Sequence, residues 1–157
     1  MNVKIKLLHP NAVLPTKGSA QAAGYDITVP EDTEIMPGRN KVPTGIAFSF
    51  ADGYGADFDP RSGNSLKGIE GYRTHIDGTH DTEKRRFNAD VIHGLGDPDY
   101  TGEYCFIVRN DDGPFMIPAG TKLAQLRIHK REEIEWEQVD SLEETERGEG
   151  GFGHTDE

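Results

Sequence analysis

Apolar and polar residues alternate along Val3-Lys4-Ile5-Lys6-Leu7, the period-two pattern of a strand with one buried face. Tyr25-Asp26-Ile27-Thr28-Val29 repeats the pattern and stops at Pro30. Residues 46–50, 123–128 and 134–139 also predict strands, the last alternating most cleanly as Ile134-Glu135-Trp136-Glu137-Gln138-Val139. Tyr104-Cys105-Phe106-Ile107-Val108 is apolar throughout, as expected of a buried strand. Turn chemistry separates these runs at Met36-Pro37-Gly38, Val42-Pro43-Thr44-Gly45 and, after Met116-Ile117, Pro118-Ala119-Gly120. The best helical stretch, residues 142–147, is too short for a crossover, and no longer amphipathic segment lies between strands. Many short strands joined by Pro/Gly turns predict an all-β sandwich or barrel. There is no internal repeat and no domain boundary. Residues 68–93 are polar and poorly periodic, which predicts a solvated excursion from the sheet. His75, Asp77, His80 and Asp81 within it are read as loop residues rather than metal ligands.

The 157 residues suffice for one domain with its own core. A formal net charge of -11, from 28 acidic and 17 basic side chains, argues against duplex nucleic acid or an anionic membrane as partner. It leaves open a small anion held by a local cluster of cations. One cysteine, Cys105, excludes an intrachain disulfide framework. No run reaches transmembrane length and no apolar signal core follows Met1-Asn2-Val3-Lys4, so a soluble cytoplasmic protein is expected.

Chemistry concentrates in five places. The last eleven residues, Arg147-Gly148-Glu149-Gly150-Gly151-Phe152-Gly153-His154-Thr155-Asp156-Glu157, cannot pack a core, because glycine loses the most entropy on ordering. They form an arm that orders only over a ligand: Arg147 suits a phosphate and Phe152 a flat ring. Asp59-Pro60-Arg61-Ser62-Gly63-Asn64-Ser65 reads as a turn, whose exposed N–H groups and guanidinium suit an anion. Gly94-Leu95-Gly96-Asp97-Pro98-Asp99-Tyr100-Thr101-Gly102 places two carboxylates and an aromatic ring in a tight loop, where a fixed Asp can take a proton from water. Asp26 enters a strand, and Gln125 interrupts an otherwise apolar one, where a buried amide needs partners. No P-loop is present.

Taken together and in order, these pieces resemble the five motifs of the trimeric deoxyuridine triphosphate nucleotidohydrolase (dUTPase) family: residues 22–27, Pro60-Arg61-Ser62-Gly63, residues 94–102, residues 120–126 and residues 147–155. The resemblance covers nearly the whole chain. It implies a distorted jelly-roll or β-clip fold, with a β domain over residues 1–146 and an arm over 147–157 that closes a neighbouring subunit's site. It implies a homotrimer with sites at subunit interfaces, hydrolysing dUTP to dUMP and pyrophosphate with Mg2+. Asp97 would activate the attacking water, and Asp26 would hold Mg2+ through water. Arg61, Ser62, Gly63 and Gln125 would contact the phosphate chain. Leu95 and Tyr100 would line the sugar, Tyr100 disfavouring a 2′-hydroxyl. Arg147, Gly153 and Thr155 would clamp the far end, with Phe152 over uracil.

Three departures from the family pattern stand out. Gly96 replaces the usual Ile or Val before the acid. His154 replaces a serine, and Asp156 adds negative charge nearby. The link over residues 68–93 is longer than usual, so the uracil-reading position falls on Val91 by offset, with Asn88 three positions earlier; either Asn88 or the backbone would read the base. Two alternatives share the fold: a dCTP deaminase, or bifunctional deaminase and diphosphatase, and a non-catalytic regulatory binding module.

Overall fold

A computed structural model describes residues 1–148. The calls on Phe152, Gly153 and Thr155 therefore lie outside the described residues. The chain runs through β1 (Lys4–Leu7), β2 (Tyr25–Thr28), β3 (Thr33–Ile35), β4 (Gly38–Pro43), β5 (Ile46–Ser49) and β6 (Tyr54–Pro60). A short helix α1 (Ser62–Lys67) follows, then β7 (Ile69–Arg73), β8 (Arg85–Phe87), β9 (Ala89–Ile92) and β10 (Gly94–Gly96). β11 (Cys105–Asn110), β12 (Phe115–Ile117) and β13 (Lys122–Lys130) complete it. Four antiparallel sheets result, with orders β1-β5, β10-β6-β13-β2, β4-β11-β9 and β3-β12-β7-β8. This is the all-β, jelly-roll-like architecture expected from the sequence. No helix among the described residues is long and apolar enough to cross a membrane.

One core joins the sheets through inward residues such as Ile27, Val29, Ile35, Val42, Phe48 and Phe58. Alternation explains most of them: on β6, Ala56 and Phe58 face in while Asp57 and Asp59 face out. β11 obeys the same rule despite its apolar sequence. Phe106 and Val108 are buried, whereas Ile107 is 48% exposed. The expectation of a strand buried throughout is therefore corrected, because an antiparallel sheet offers only one face to this core.

Three further expectations change. Residues 68–93 are not a loop: they contain β7, β8 and β9, and Ile69, Phe87, Ala89 and Val91 are buried. Phe87 stacks on Phe115 with ring centroids 4.1 Å apart. Only the tip of the β7–β8 hairpin is an excursion, clasped to β3 by Glu34, which accepts from Thr74 at 2.7 Å and contacts His80. The Arg61–Ser65 turn is instead the start of α1. Conversely, the strand expected at 134–139 and the helix expected at 142–147 are not formed. Ile134, Trp136, Val139 and Leu142 are all exposed. A strand exists only by pairing, and residues 131–148 find no sheet edge within this copy.

The insertion's closeness to the core generates a prediction. Gly68 and Gly78 both have φ near +80°. A Cβ at Gly68 would collide with the Phe87 carbonyl oxygen, whereas one at Gly78 meets nothing within 4 Å. Gly78→Ala should cost about 1–2 kcal/mol for the left-handed backbone alone. Gly68→Ala should cost more than about 3 kcal/mol, since backbone strain and collision add. Urea denaturation measures both, and equal losses would contradict this packing.

Candidate functional site

Asp26 lies on β2 with its side chain opposite Ile27, and is 3% exposed. Strand pairing sets Gln125 of β13 directly against it. Gln125 donates from Nε2 to Asp26 Oδ1 at 3.1 Å, and Arg61 donates from Nε to the same oxygen at 3.1 Å. Lys122 Nζ sits 3.0 Å from Oδ2. Burial alone pushes this carboxyl up. The hydrogen bonds from Lys122 and Gln125 and the charges of Arg61 and Lys122 outweigh it, holding the group below its ordinary value. Asp26 is thus an ionised anchor that aims two half-exposed cations.

The same sheet face continues as a charged lattice. Arg127 donates to Asp59 at 2.6 Å and to Asp57 at 3.2 Å, and His93 Nδ1 lies 3.1 Å from Asp59. Burial raises the Asp59 carboxyl, but its hydrogen bonds from Arg127 and His93, with their charges, leave it lowered overall.

Asp97 leaves the end of β10, where Gly96 pairs with Ala56 of β6. Gly96 is buried because the Tyr104 ring stands where a side chain would be. A Cβ there would come 2.9 Å from Tyr104 Cε1 and 3.2 Å from Phe58 Cε2. Tyr104 stacks on Phe48 at 4.2 Å and meets the Tyr100 ring edge-on at 5.0 Å. Its hydroxyl lies 3.5 Å from the Asp97 carbonyl and 3.4 Å from that of Tyr100, long contacts beside the shorter Tyr100 hydroxyl to Glu103 carbonyl bond of 2.9 Å. Burial, then the nearby Asp97, Tyr100 and Asp99, push the Tyr104 phenol up to about 12, so it remains a donor. Packing lost at Gly96 is thereby returned from β11's side. Sequence reading missed Tyr104. The one available signal was Gly96 itself, a small residue where a large one is usual.

Asp97, Leu95 and Tyr100 line one concavity of about 430 Å³, together with Lys41 and Ile107. Arg61 and Lys122 line another, of about 380 Å³. The two have no lining residue in common, so within one copy the acid and these cations open onto different hollows. Ser62 and Gly63 are exposed at the start of α1, and Arg147 is exposed near the end of the described residues. Asn88 opens onto a third hollow with Ser65 and Asp112, its backbone N–H donating to Asp112 at 2.7 Å. Val91 is buried and pairs with Val108, which leaves only its backbone for recognition. Among the described residues, no group of three or more His, Cys, Asp or Glu is placed to hold a metal ion.

The Asp26 geometry sets a pH dependence. A carboxyl lowered in the folded state adds stability above its unfolded value, and that stability fades as pH falls through the folded value. Acidification below about pH 4 should therefore destabilise the wild-type protein more steeply than Asp26→Asn, with urea midpoints as the readout. Parallel curves in that window would contradict the ionised anchor.

The dUTPase family model matches residues 10–77 and 70–156, two stretches that overlap within the insertion. The deoxyuridine 5'-triphosphate nucleotidohydrolase of Wolinella succinogenes is 39% identical over 158 residues, spanning 99% of this chain and 94% of that one. The enzyme of the same name from Oryza sativa subsp. japonica is 36% identical over 156 residues, spanning 98% and 80%. Among solved structures, the dUTPase of Staphylococcus bacteriophage 80alpha, a G164S mutant with dUpNHpp, superposes with a TM-score of 0.78 at 26% identity, covering 98% of each chain. A buried acid with its cations, an acid loop keyed by an aromatic ring, and a likeness running the length of the chain agree: this chain belongs to the dUTPase family.

Proposed function

We propose that this protein hydrolyses dUTP to dUMP and pyrophosphate, as a homotrimer whose sites form between copies. The observation that carries the reading is the division of labour between two concavities. Asp97 stands beside Tyr100 in one, while Arg61 and Lys122 are aimed by Asp26 at the other. Among the described residues Lys41 is the one cation lining the Asp97 concavity, too little positive charge for a polyanion, and cations without a base leave water inactive. Apposed across an interface, the two halves supply both. The exposed segment 131–148 favours assembly too: Trp136 is 89% exposed, and a strand pattern with no partner in its own copy suits an arm reaching another. On this reading residues 1–146 are the β domain and 147–157 the arm that covers a neighbour's nucleotide.

Asp97 accepts a proton from water as the water oxygen bonds to the α-phosphorus. The bond from that phosphorus to the bridging oxygen breaks, and pyrophosphate leaves. Positioned proton transfer of this kind contributes about 10²–10⁴ in rate. Arg61, Ser62, Gly63 and Gln125 bind the phosphate chain. Tyr100 and Leu95 pack on the deoxyribose, where a 2′-hydroxyl would be crowded. Arg147, Gly153 and Thr155 of the arm grip the terminal phosphates, and Phe152 stacks on uracil. Asn88, whose hollow is separate from that of Asp97, would reach uracil from another copy. The Tyr104 ring fills the space beside Gly96, which keeps the Asp97 loop packed and supports the catalytic reading over the binding module.

Mg2+ fits these residues as a hydrated ion. Both Asp26 oxygens are already engaged, so Asp26 would hold the ion through water rather than directly. Bound there, it neutralises charge on the phosphate chain and on the leaving pyrophosphate.

Incubation with dUTP, dCTP, dTTP and UTP plus Mg2+ tests the proposal. dUMP and pyrophosphate should form from dUTP, and Asp97→Asn should lower kcat by at least about 100-fold. Ammonia from dCTP, or a kcat for Asp97→Asn within tenfold of wild type, would contradict it.

A further inference from the structure

The insertion brings cations to the phosphate-gripping side of the molecule. β8 alternates, so Phe87 enters the core and Arg86 points away from it, opposite Glu70 of β7. Arg86 donates from Nη1 to the Gly68 carbonyl at 2.9 Å, and its Nη2 lies 3.5 Å from Glu70. Lys84 Nζ lies 3.8 Å from the same carboxylate. Lys84 and Arg86 line the concavity of about 380 Å³ that Arg61 and Lys122 also line. Among the described residues four cations thus converge on one hollow, in a chain of net charge -11, and Glu70 is the only carboxylate in its wall. Asp26 engages Arg61 and Lys122 from beneath. A local excess of positive charge of this density suits a multivalent anion, not a neutral or singly charged ligand.

We propose that Lys84 and Arg86 of the insertion bind the terminal phosphates of the nucleotide, extending the Arg61 site toward pyrophosphate. This rests on the dUTP reading above. It gives the β7–β8 hairpin a function: its core side anchors through Phe87, and its outer side presents two cations from a sheet rather than from the arm. Glu70 acts as their common rest, keeping both side chains extended over the hollow before the ligand arrives. The terminal phosphates then displace a weak, half-exposed ion pair, and Arg86 retains its bond to Gly68 throughout. Recognition is of the pyrophosphate moiety, absent from dUMP, so the site distinguishes dUTP from dUMP by charge at its far end.

The test is the double variant Lys84→Met, Arg86→Met, which keeps both aliphatic stems over the hairpin. The KM for dUTP and the inhibition constant of pyrophosphate should each rise about tenfold, while dUMP affinity and melting temperature stay unchanged. Values for dUTP and pyrophosphate within twofold of wild type, in a protein that melts normally, would overturn the proposal. So would an equal loss of dUMP affinity, which would mark a general disturbance of the site. Lys84→Met alone breaks no backbone contact and serves if the double variant melts early; it should raise the pyrophosphate inhibition constant about threefold, and no change would overturn the proposal. Calorimetry with pyrophosphate alone separates this idea from its parent. Pyrophosphate binding that the variant weakens, in a wild-type protein that leaves dUTP intact, would sink the dUTP reading and keep the site.

Discussion

A single buried carboxylate organises the cationic half of this molecule. Asp26 receives Gln125 from the neighbouring strand, Arg61 from the segment before α1 and Lys122 from the start of β13. Two chain segments far apart in sequence, Arg61 and the start of β13, are thereby fixed around one charge on β2. Burying that charge is costly without partners, so its presence compels the convergence that a phosphate site requires. The cations are aimed by it yet remain half-exposed, ready for a more highly charged ligand.

The acid half is organised differently, by packing rather than charge. Gly96 brings the β10 backbone against the Tyr104 ring, and that ring rests on Phe48 and Phe58. Asp97 therefore leaves a rigid aromatic wall, with Tyr100 held edge-on beside it. Each half is built on strands of the same sheet system, but within one copy they open onto different hollows. The segment beyond β13 has the same unfinished character: apolar at Ile134, Trp136 and Val139, and uncovered. On the proposed reading, an unpaired strand pattern and a divided site have one cause, a chain completed by its copies.

Much of this was legible from the residues. β1, β2, β5, β11 and β13 lie where the residue pattern set strands, and Asp26, Arg61 and Gln125, marked separately for chemistry, meet at hydrogen-bonding distance. What stayed hidden has physical reasons. β8 spans three residues and buries one, Phe87, too little for a period to register. α1 has six residues and begins just after Pro60, where the composition is that of a turn. The strand signal at 134–139 was genuine as a pattern, but pairing is a tertiary property and no edge in this copy receives it. Tyr104 was invisible as a functional residue because its role is to fill space left by a glycine eight positions earlier, a relation only three dimensions reveal.

The central claim is that Asp97 and Arg61 serve one site from different copies of the chain. Asp97→Asn and Arg61→Gln, each purified and inactive on dUTP, can be mixed, unfolded and refolded together. Mixed assemblies then contain some interfaces with both residues intact, and the account predicts that pyrophosphate release reappears in the mixture. A mixture that forms mixed assemblies and stays as inactive as its parents would contradict it.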